Sequence, residues 1–248
     1  MTPGDEVLLT VALPAYEEGE NLRMLLPVLR ETLATLGVTH EILVVDTEAP
    51  HDDTPAVCAE QGVRYLARQG GSLYSHAVRT ALAASRGRWV ILMDADGSHS
   101  PRFVQKLWAE RERAELVIAS RYVRGGHTEN PAILIFLSLM VNVIFRLVLG
   151  LAVADVSNSF RLYRGDDVRA LELECEHFDI VEEILVKLAF SRPGYRMLEL
   201  PFTFETRKAG RTKRDLVTFA FEYAGTLARL YRLKCRARQT VVRPCTTS

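Results

Sequence analysis

Asp94 and Asp96 stand one residue apart at the end of an apolar run over residues 89–94. A short apolar run bounded by polar residues is typical of a buried strand. Carboxylate oxygens are the ligands that Mg²⁺ and Mn²⁺ prefer, and ligands bind at the carboxyl ends of strands in open α/β sheets. The pair therefore predicts a divalent-metal site facing a diphosphate, which indicates nucleotide-sugar chemistry. The alternative is a strand followed by an ordinary polar turn.

Further groups of polar residues follow one another in a fixed order along the chain. Between Arg68 and Ser72, a pair of glycines that includes Gly71 precedes a helical pattern, whose first N–H groups can receive an anion. The other groups lie at residues 13–22, 46, 119–122, 157–164, 182–185, 199–204, 207, 210 and 213.

The elements that must position these side chains alternate between strand and helix patterns. Such alternation predicts βαβ units and a mostly parallel sheet, and therefore an α/β fold. We predict one α/β domain over residues 1–205, followed by a basic loop and a helical tail over residues 206–248. The predicted strands are 7–13, 41–46, 63–67, 89–94 and 116–120. The predicted helices are 18–36, 55–61, 73–85 and 101–113.

The charge of the chain is unevenly distributed. The net charge is zero, yet residues 207–248 hold eleven Lys and Arg against two Asp and Glu, which gives +9 there and −9 elsewhere. A basic tail favours anionic partners such as phosphates or lipid headgroups. It lacks the aromatic interleaving of nucleic-acid platforms, so we predict no nucleic-acid partner. Residues 216–233 carry apolar side chains at helical spacing, which predicts a basic amphipathic helix for a membrane or a partner subunit.

The first residues and the cysteines bear on the compartment. No basic segment precedes an apolar one at the start of the chain, so we expect no signal peptide. The four cysteines are widely spaced and lack metal-ligand partners, which is typical of reduced thiols in a cytoplasmic protein.

The segment 132–153 is long and apolar enough to suggest a membrane-spanning helix. Its exceptions are Ser138, Asn142, Arg146 and Gly150, which recur every four residues and so share one face of a helix. We predict an amphipathic helix with this polar face turned inward, lying at a membrane surface or packed against the domain. A span is the third alternative, and the arginine would be costly in lipid.

Taken in this order, the motifs resemble glycosyltransferase family 2, and within it the dolichyl-phosphate mannose synthase-like branch. The resemblance covers about residues 8–214. It implies a GT-A fold, a nucleotide-diphospho-sugar donor with GDP-mannose as the first choice, and a divalent metal, Mn²⁺ or Mg²⁺. It also implies an inverting transfer and a polyprenyl phosphate as the acceptor.

The resemblance implies a nucleotide-sugar site at the first two strands. Pro14, Tyr16 and Glu18 match the motif that holds the base and ribose, and Asp46 matches the acidic residue that helps to bind the nucleoside. Gly71, in the glycine turn, is assigned to the same site.

The resemblance also implies the metal and diphosphate ligands. Asp94 and Asp96 match the metal and diphosphate motif, and Ser98 stands where a glutamine often supplies a further metal ligand. Arg207 and Lys213 match the cationic loop that covers the diphosphate.

On the acceptor side, Arg121 matches the arginine that meets the acceptor phosphate. Ser138 and Asn142 keep the polar pattern of the acceptor helix, whereas Leu134 stands where the branch usually carries a second arginine. The other departures from the branch pattern are Thr47, Ser98 and Ser159.

The nature of the acceptor separates the alternatives. An ionised phosphate oxygen is already a nucleophile, whereas a hydroxyl needs a general base. The candidate bases are His99, Asp179 and Glu183, although His99 equally fits a loop-capping role and Glu183, with Glu182, fits a helix surface.

We therefore predict a hexosyltransferase that uses a lipid-phosphate acceptor and binds peripherally at the cytosolic membrane face, with a membrane-anchoring partner subunit as a further possibility. The first alternative is a UDP-sugar-dependent transferase acting on a hydroxyl of a small molecule or glycan. The second is a non-catalytic membrane adaptor that keeps the fold.

Overall fold

The computed structural model describes residues 6–205 and 225–235. It contains all five predicted strands and adds four short ones. The strands are β1 Leu9–Pro14, β2 His40–Asp46, β3 Arg64–Ala67, β4 Trp89–Leu92, β5 Leu116–Ser120, β6 His127–Thr128, β7 Arg161–Arg164, β8 Met197–Pro201 and β9 Thr203–Phe204.

The helices lie between the strands, as predicted for βαβ units. They are α1 Gly19–Ala34, α2 Thr54–Glu60, α3 Tyr74–Ala84, α4 Val104–Ala109, α5 Ala132–Leu149, α6 Gly165–Arg169 and α7 Ile180–Ala189, with a further helix, α8, over 225–235. The single helix predicted over 101–113 is wrong in its bounds, because Pro101–Phe103 is a 3₁₀ turn and α4 ends at Ala109. Residues 110–113 are all charged and offer no apolar side chain that would extend the buried face.

Seven strands form one sheet in the order β3-β2-β1-β4-β7-β5-β8, and β6 pairs with β9 beside it. All pairings within the seven-stranded sheet are parallel except those of β7, which runs antiparallel to both β4 and β5. The prediction of a mostly parallel central sheet is confirmed.

The central strands are buried on both faces, which explains why they are continuous apolar runs. On β1, Val11 and Leu13 belong to one core cluster and Ala12 to the other, and on β4 Ile91 and Leu92 divide in the same way. Because β1, β2 and β4 are parallel, their carboxyl ends meet at one edge of the sheet. The sheet therefore brings the predicted donor-binding residues together.

Helix α5 ends at Leu149, four residues before the predicted end at 153, because Gly150 takes a left-handed conformation with φ 64°. The prediction of an inward polar face is correct for Asn142, which is buried, and wrong for Arg146 and Gly150, which are exposed.

The inward face of α5 is mainly apolar, because Phe145 and Leu149 share it with Asn142. Its outward face carries large apolar side chains, and Leu147 is 75% exposed. Within residues 6–205 and 225–235, α5 is the one helix long and apolar enough to cross a membrane, and most of its residues are not buried.

Candidate active site

The Asp-x-Asp loop follows β4, which ends two residues earlier than predicted, so both carboxylates project from loop backbone. Asp94 Oδ1 accepts hydrogen bonds from Ser159 Oγ at 2.9 Å and from the Tyr74 hydroxyl at 3.3 Å. Asp96 Oδ1 accepts from the backbone N–H of Ser98 at 3.0 Å and from its Oγ at 2.6 Å. Neutral donors thus orient both carboxylates.

The chemistry of this loop fits a hard divalent cation, since two oriented carboxylates one residue apart in sequence offer oxygen ligands. Asp94 and Asp96 would hold the metal, which would act as a Lewis acid towards a leaving diphosphate. Ser98 is fully buried and its hydroxyl donates to Asp96, so the geometry favours Ser98 as the residue that orients Asp96 over a direct ligand. Within residues 6–205 and 225–235, no cluster of three or more His, Cys, Asp or Glu suited to a metal is present.

His99 is a structural residue of this loop. Its Nδ1 accepts a hydrogen bond from the backbone N–H of Asp94 at 3.0 Å, so the ring proton lies on Nε2, which is 3.2 Å from Asn158 Oδ1. Asn158 Nδ2 in turn donates to the carbonyl of Ala119 at 2.5 Å. The ring is fully buried and stacks on Phe160 with centroids 4.7 Å apart. Of its two predicted roles, His99 therefore has the loop-capping one.

Glu183 is also occupied by the protein. It is fully buried, which corrects the helix-surface alternative for this residue and for Glu182. It accepts hydrogen bonds from the backbone N–H groups of Glu174 and Cys175 and lies 2.8 Å from Lys187 Nζ. Burial by itself raises the pKa of Glu183, but Lys187 and the two N–H groups more than offset this and hold it below its usual value.

Asp179, the third candidate base, connects α7 to the C-terminal helix. Its Oδ2 accepts a hydrogen bond from Thr226 Oγ1 at 2.7 Å and pairs with Arg229, and its Oδ1 accepts from the backbone N–H of His177 at 3.1 Å. Only 7% of the residue is exposed. All three candidate bases are therefore buried and held by protein partners.

Asp46 lies at the carboxyl end of β2 and is fully buried. The Tyr65 hydroxyl donates to its carboxylate at 3.4 Å, whereas the Thr47 hydroxyl lies 3.4 Å from the carboxylate and donates to the Ala49 carbonyl at 2.7 Å. Burial raises the pKa of Asp46 above its usual value. Thr47, which stands in place of a second aspartate, is thus a neighbour of the carboxylate that the sequence predicts to bind the nucleoside.

Arg68 joins the backbone segments around this site. Its guanidinium donates to the carbonyls of Asp46 at 3.1 Å, Ala15 at 2.5 Å and Ser72 at 2.7 Å. At Gly71, where φ is 145°, a Cβ would come within 2.8 Å of the His76 ring. Only glycine fits this turn, which Arg68 fixes against the ends of β1 and β2.

The residues of the first motif are placed at the same edge. Pro14 ends β1, Tyr16 is 49% exposed, and Glu18 is buried and accepts a hydrogen bond from Asn21 Nδ2 at 2.6 Å. An exposed aromatic ring beside the strand ends is suited to contact a nucleotide base. Glu18 orients the start of α1.

Arg121, directly after β5, is held by Asp155. The Asp155 carboxylate accepts hydrogen bonds from the Arg121 backbone N–H at 2.9 Å, from Nε at 2.8 Å and from Nη2 at 2.7 Å. Asp155 is fully buried, which alone raises its pKa, but the Arg121 guanidinium brings the pKa below its usual value. The bidentate geometry fixes the plane of the guanidinium.

The predicted acceptor residues form one polar cluster. Arg121 Nη2 donates to Ser157 Oγ at 2.8 Å, and Asn142 Nδ2 lies 3.3 Å from the same oxygen. Asn142 Nδ2 also donates to the carbonyl of Ser138 at 2.7 Å. Leu134, in place of the second arginine, is 38% exposed and contributes no charge.

Arg207 and Lys213 lie outside the described residues. The first described range ends at Glu205, whose N–H donates to the carbonyl of Ser98 at 3.1 Å. The chain thus leaves this range beside the Asp-x-Asp loop.

Sequence reasoning did not assign roles to Tyr74, Ser159, Ser157, Asp155 and Arg68. Four of these lie in or beside motifs singled out in the sequence. The sequence therefore indicated the segments that contain them, but not the contacts that they make. Tyr74 carried no sequence signal.

Residues 10–171 match the family described as Glycosyl transferase family 2. The chain belongs to glycosyl transferase family 2. The dolichol-phosphate mannosyltransferase of Pyrococcus furiosus is 32% identical over 231 residues, which cover 90% of this chain and 63% of that protein. The undecaprenyl-phosphate mannosyltransferase of Micrococcus luteus is 33% identical over 213 residues, which cover 81% of this chain and 85% of that protein. This family 2 chain therefore spans less than two thirds of the Pyrococcus relative.

Solved structures support the fold assignment. Glucosyl-3-phosphoglycerate synthase of Mycobacterium tuberculosis has a TM-score of 0.69 at 17% identity, covering 92% of this chain and 81% of that one. The same enzyme with Mn²⁺, uridine diphosphate and glucosyl-3-phosphoglycerate has a TM-score of 0.66 at 19% identity, covering 92% and 80%. At this identity the likeness concerns the fold alone, and it confirms the predicted GT-A architecture. The predicted membership of glycosyltransferase family 2 is confirmed by the family match over residues 10–171.

Proposed function

We propose that this family 2 chain is a metal-dependent, inverting hexosyltransferase that uses a nucleotide-diphospho-sugar and a polyprenyl phosphate, and that it acts while bound peripherally at the cytosolic membrane face. The observation that carries the acceptor assignment is the state of the three candidate bases. His99, Asp179 and Glu183 are all buried and engaged by protein groups. A hydroxyl acceptor would need one of them to take a proton, whereas an ionised phosphate needs none.

The polar cluster after β5 supports the same acceptor. Arg121 presents a guanidinium whose plane is fixed by Asp155, and it shares Ser157 with the buried end of Asn142. Because Asp155 and Ser157 accept from its Nε and Nη2, Arg121 would attract a phosphate mainly through the permanent positive charge of its guanidinium. Ser157 of this cluster lies two residues before Ser159, which donates to Asp94, and Asn142 belongs to α5, so a lipid-linked phosphate bound here would lie between the Asp-x-Asp loop and α5.

The donor side rests on Asp94 and Asp96, which are suited to a metal bound to a diphosphate. Mannose is the first choice of sugar because the two relatives are named as mannosyltransferases. GDP-mannose is accordingly the first donor and a UDP-sugar the second. When the metal is bound it stabilises charge on the leaving diphosphate, while Ser159, Tyr74 and Ser98 keep the two carboxylates oriented.

Peripheral membrane binding rests on the outward face of α5. Helix α5 packs against the domain through its buried residues Asn142, Phe145 and Leu149. It therefore lies along the protein, and its opposite face is exposed. A contiguous apolar surface of this kind is rare on a soluble monomer and is typical of a membrane or protein contact. The large apolar side chains of this face are Ile133, Leu134, Phe136, Leu139, Met140, Val143, Ile144, Leu147 and Val148.

A donor-by-acceptor assay on the full-length protein tests the proposal. GDP- and UDP-sugars are crossed with a short polyprenyl phosphate and with the matching polyprenol, in Mn²⁺ or Mg²⁺ and in EDTA. We expect glycolipid from the phosphate alone, only with metal, and with inverted anomeric configuration by NMR. Product from the polyprenol would assign a hydroxyl acceptor, and donor binding with no product from any acceptor would favour the adaptor.

The matched variants are Asp96→Asn and Asp166→Asn. Asp96 is buried in the candidate metal loop, whereas the Asp166 side chain is 97% exposed and pairs with Arg169. We expect Asp96→Asn to lower kcat by about a thousandfold or more, as for loss of an electrostatic contact in a transition state. Asp166→Asn should retain wild-type kcat, and full activity in Asp96→Asn would remove that residue from the mechanism.

A further inference from the structure

The loop between α5 and β7 joins three separate parts of the molecule. Glu199 of β8 accepts hydrogen bonds from the backbone N–H groups of Ala154 at 2.7 Å and Asp155 at 2.9 Å. The Asp155 carboxylate then holds Arg121 and also accepts from the Asn158 N–H at 3.1 Å. The backbone of this loop is therefore fixed from the sheet before it reaches the acceptor side.

Helix α5 holds the same loop through Asn142. Its Oδ1 accepts a hydrogen bond from the Val156 N–H at 2.6 Å, and its Nδ2 donates to the Ser138 carbonyl at 2.7 Å and lies 3.3 Å from Ser157 Oγ. Only 2% of Asn142 is exposed. The amide oxygen and the amide nitrogen of Asn142 are thus both hydrogen-bonded within the protein, which makes Asn142 a positioning residue.

Unlike the amide of Asn142, the Ser157 hydroxyl still has a hydrogen to donate to a further group. Its Oγ accepts from Arg121 Nη2 at 2.8 Å and faces Asn142 Nδ2 at 3.3 Å. Both groups are donors, so they engage the lone pairs of the hydroxyl and direct its hydrogen towards a third group. Ser157 is half-buried, so this third group can come from solvent or from a ligand.

We propose that Ser157 is a binding residue for the ionised acceptor, donating its hydroxyl hydrogen to a phosphate oxygen beside Arg121. Asn142 and Asp155 are the positioning residues that hold Ser157 and Arg121 in one geometry. The inference rests on the proposed phosphate acceptor and adds to it a hydrogen-bond donor that compensates for the uncharged Leu134 on α5.

The test compares Ser157→Ala with Ser157→Thr in the full-length protein. Two quantities are measured: the Kd for farnesyl phosphate by calorimetry, and the steady-state KM values for donor and acceptor. We expect Ser157→Ala to raise the Kd and the acceptor KM by about tenfold, the size of a lost hydrogen bond to a charged group, while the donor KM stays within about twofold. Ser157→Thr, which keeps the hydroxyl, should restore both.

A second pair of variants separates positioning from helix stability. Asn142→Leu removes the amide that holds Ser157, and Phe145→Leu loosens the packing of the same helix while leaving every polar contact in place. We expect Asn142→Leu to raise the acceptor KM by about fivefold and Phe145→Leu to leave it unchanged. An equal rise in both variants would overturn the positioning role of Asn142.

The outcomes distinguish this inference from the proposed function. Transfer by the wild-type protein with unchanged acceptor KM and Kd in Ser157→Ala would overturn the inference alone. No transfer from any donor, together with farnesyl phosphate binding that Ser157→Ala weakens, would uphold the binding role and overturn the proposed reaction. No phosphate binding by the wild-type protein would overturn both.

Discussion

Ser159 Oγ donates a hydrogen bond to Asp94 Oδ1 at 2.9 Å, across 65 residues of sequence. The contact joins the segment just before β7 to the loop after β4, and these two segments are adjacent because β7 pairs antiparallel with β4. Sequence resemblance places a glycine at position 159. The serine takes no strained backbone here, since among non-glycine residues of the described ranges only Glu17 has positive φ.

Replacing Ser159 by alanine should weaken metal binding. The variant leaves Asp94 with one fewer hydrogen bond, so its carboxylate loses part of its orientation before the metal arrives. We expect the Mn²⁺ concentration for half-maximal transfer, and the Mn²⁺ Kd from electron paramagnetic resonance, to rise about fivefold. Ser191→Ala, which removes a hydroxyl bonded to the Leu188 carbonyl, is the control. Unchanged Mn²⁺ binding in Ser159→Ala would show that Asp94 is oriented without this contact.

His99 should carry its proton on Nε2. The N–H of Asp94 can only donate, so Nδ1 must be the acceptor, and Nε2 is left to donate to Asn158. Nitrogen-15 NMR of the ring, with assignment by the His99→Gln variant, distinguishes the two neutral tautomers. A signal from the Nδ1–H tautomer would contradict the loop-capping geometry, and His99 would again be a candidate general base.

Much of the fold was predictable because its signals are local. Apolar runs such as the one ending at Asp94 mark buried strands, and their alternation with helical patterns implies parallel pairing. The antiparallel direction of β7 could not be predicted from the sequence. A four-residue segment does not indicate whether it will pair parallel or antiparallel, and its pairing with β4 and β5 is decided by tertiary packing. The predicted end of α5 lay four residues too far along the chain, because the apolar stretch continues past Gly150. The left-handed backbone of Gly150, which ends the helix, is visible only in the structure.

The sequence predicted those site residues whose chemistry follows from their type. It did not predict the residues whose role depends on a contact made in the folded structure. Asp94 and Asp96 could be chosen from their charge and their position after an apolar run, and Arg121 could be chosen from the family resemblance. The assignments of His99 and Glu183 as candidate bases could not be resolved from sequence, since their partners come from residues 59 and 9 positions away. Ser157 was missed as a single residue because a serine has no distinguishing charge, and its role follows from two donors that converge on its oxygen.

Membrane binding should depend on the outward face of α5. Leu147 is 75% exposed there, so Leu147→Asp leaves the fold intact while placing a charge where lipid is expected. Burying a leucine is worth about 1.5–3 kcal/mol, so partitioning into anionic vesicles should fall by about tenfold or more in flotation assays. Met24→Asp, on α1 and 49% exposed, is the matched control. Equal loss in both variants, or none in Leu147→Asp, would assign the apolar face to a protein partner instead.

The pairing of Asp155 with Arg121 should appear in the pH dependence of stability. Because the folded-state pKa of Asp155 lies below its unfolded value, this pair stabilises the protein above the unfolded pKa of about 3.9, and the contribution is lost as pH falls through the folded pKa. Asp155→Ala should lower the free energy of unfolding near neutral pH by about 3–5 kcal/mol, because it leaves the Arg121 charge without its buried partner.

Chemical denaturation from about pH 7 down to about pH 3 checks both parts of this expectation. The wild-type free energy of unfolding should fall more steeply with acid than that of Asp155→Ala, so that the two curves converge at low pH. Asp166→Asn, with its side chain 97% exposed, should follow the wild type closely, because a surface pair contributes little. Parallel curves for wild type and Asp155→Ala across this range would mean that Asp155 has the same pKa in both states, and the pair would then contribute packing and geometry but no pH-dependent stability.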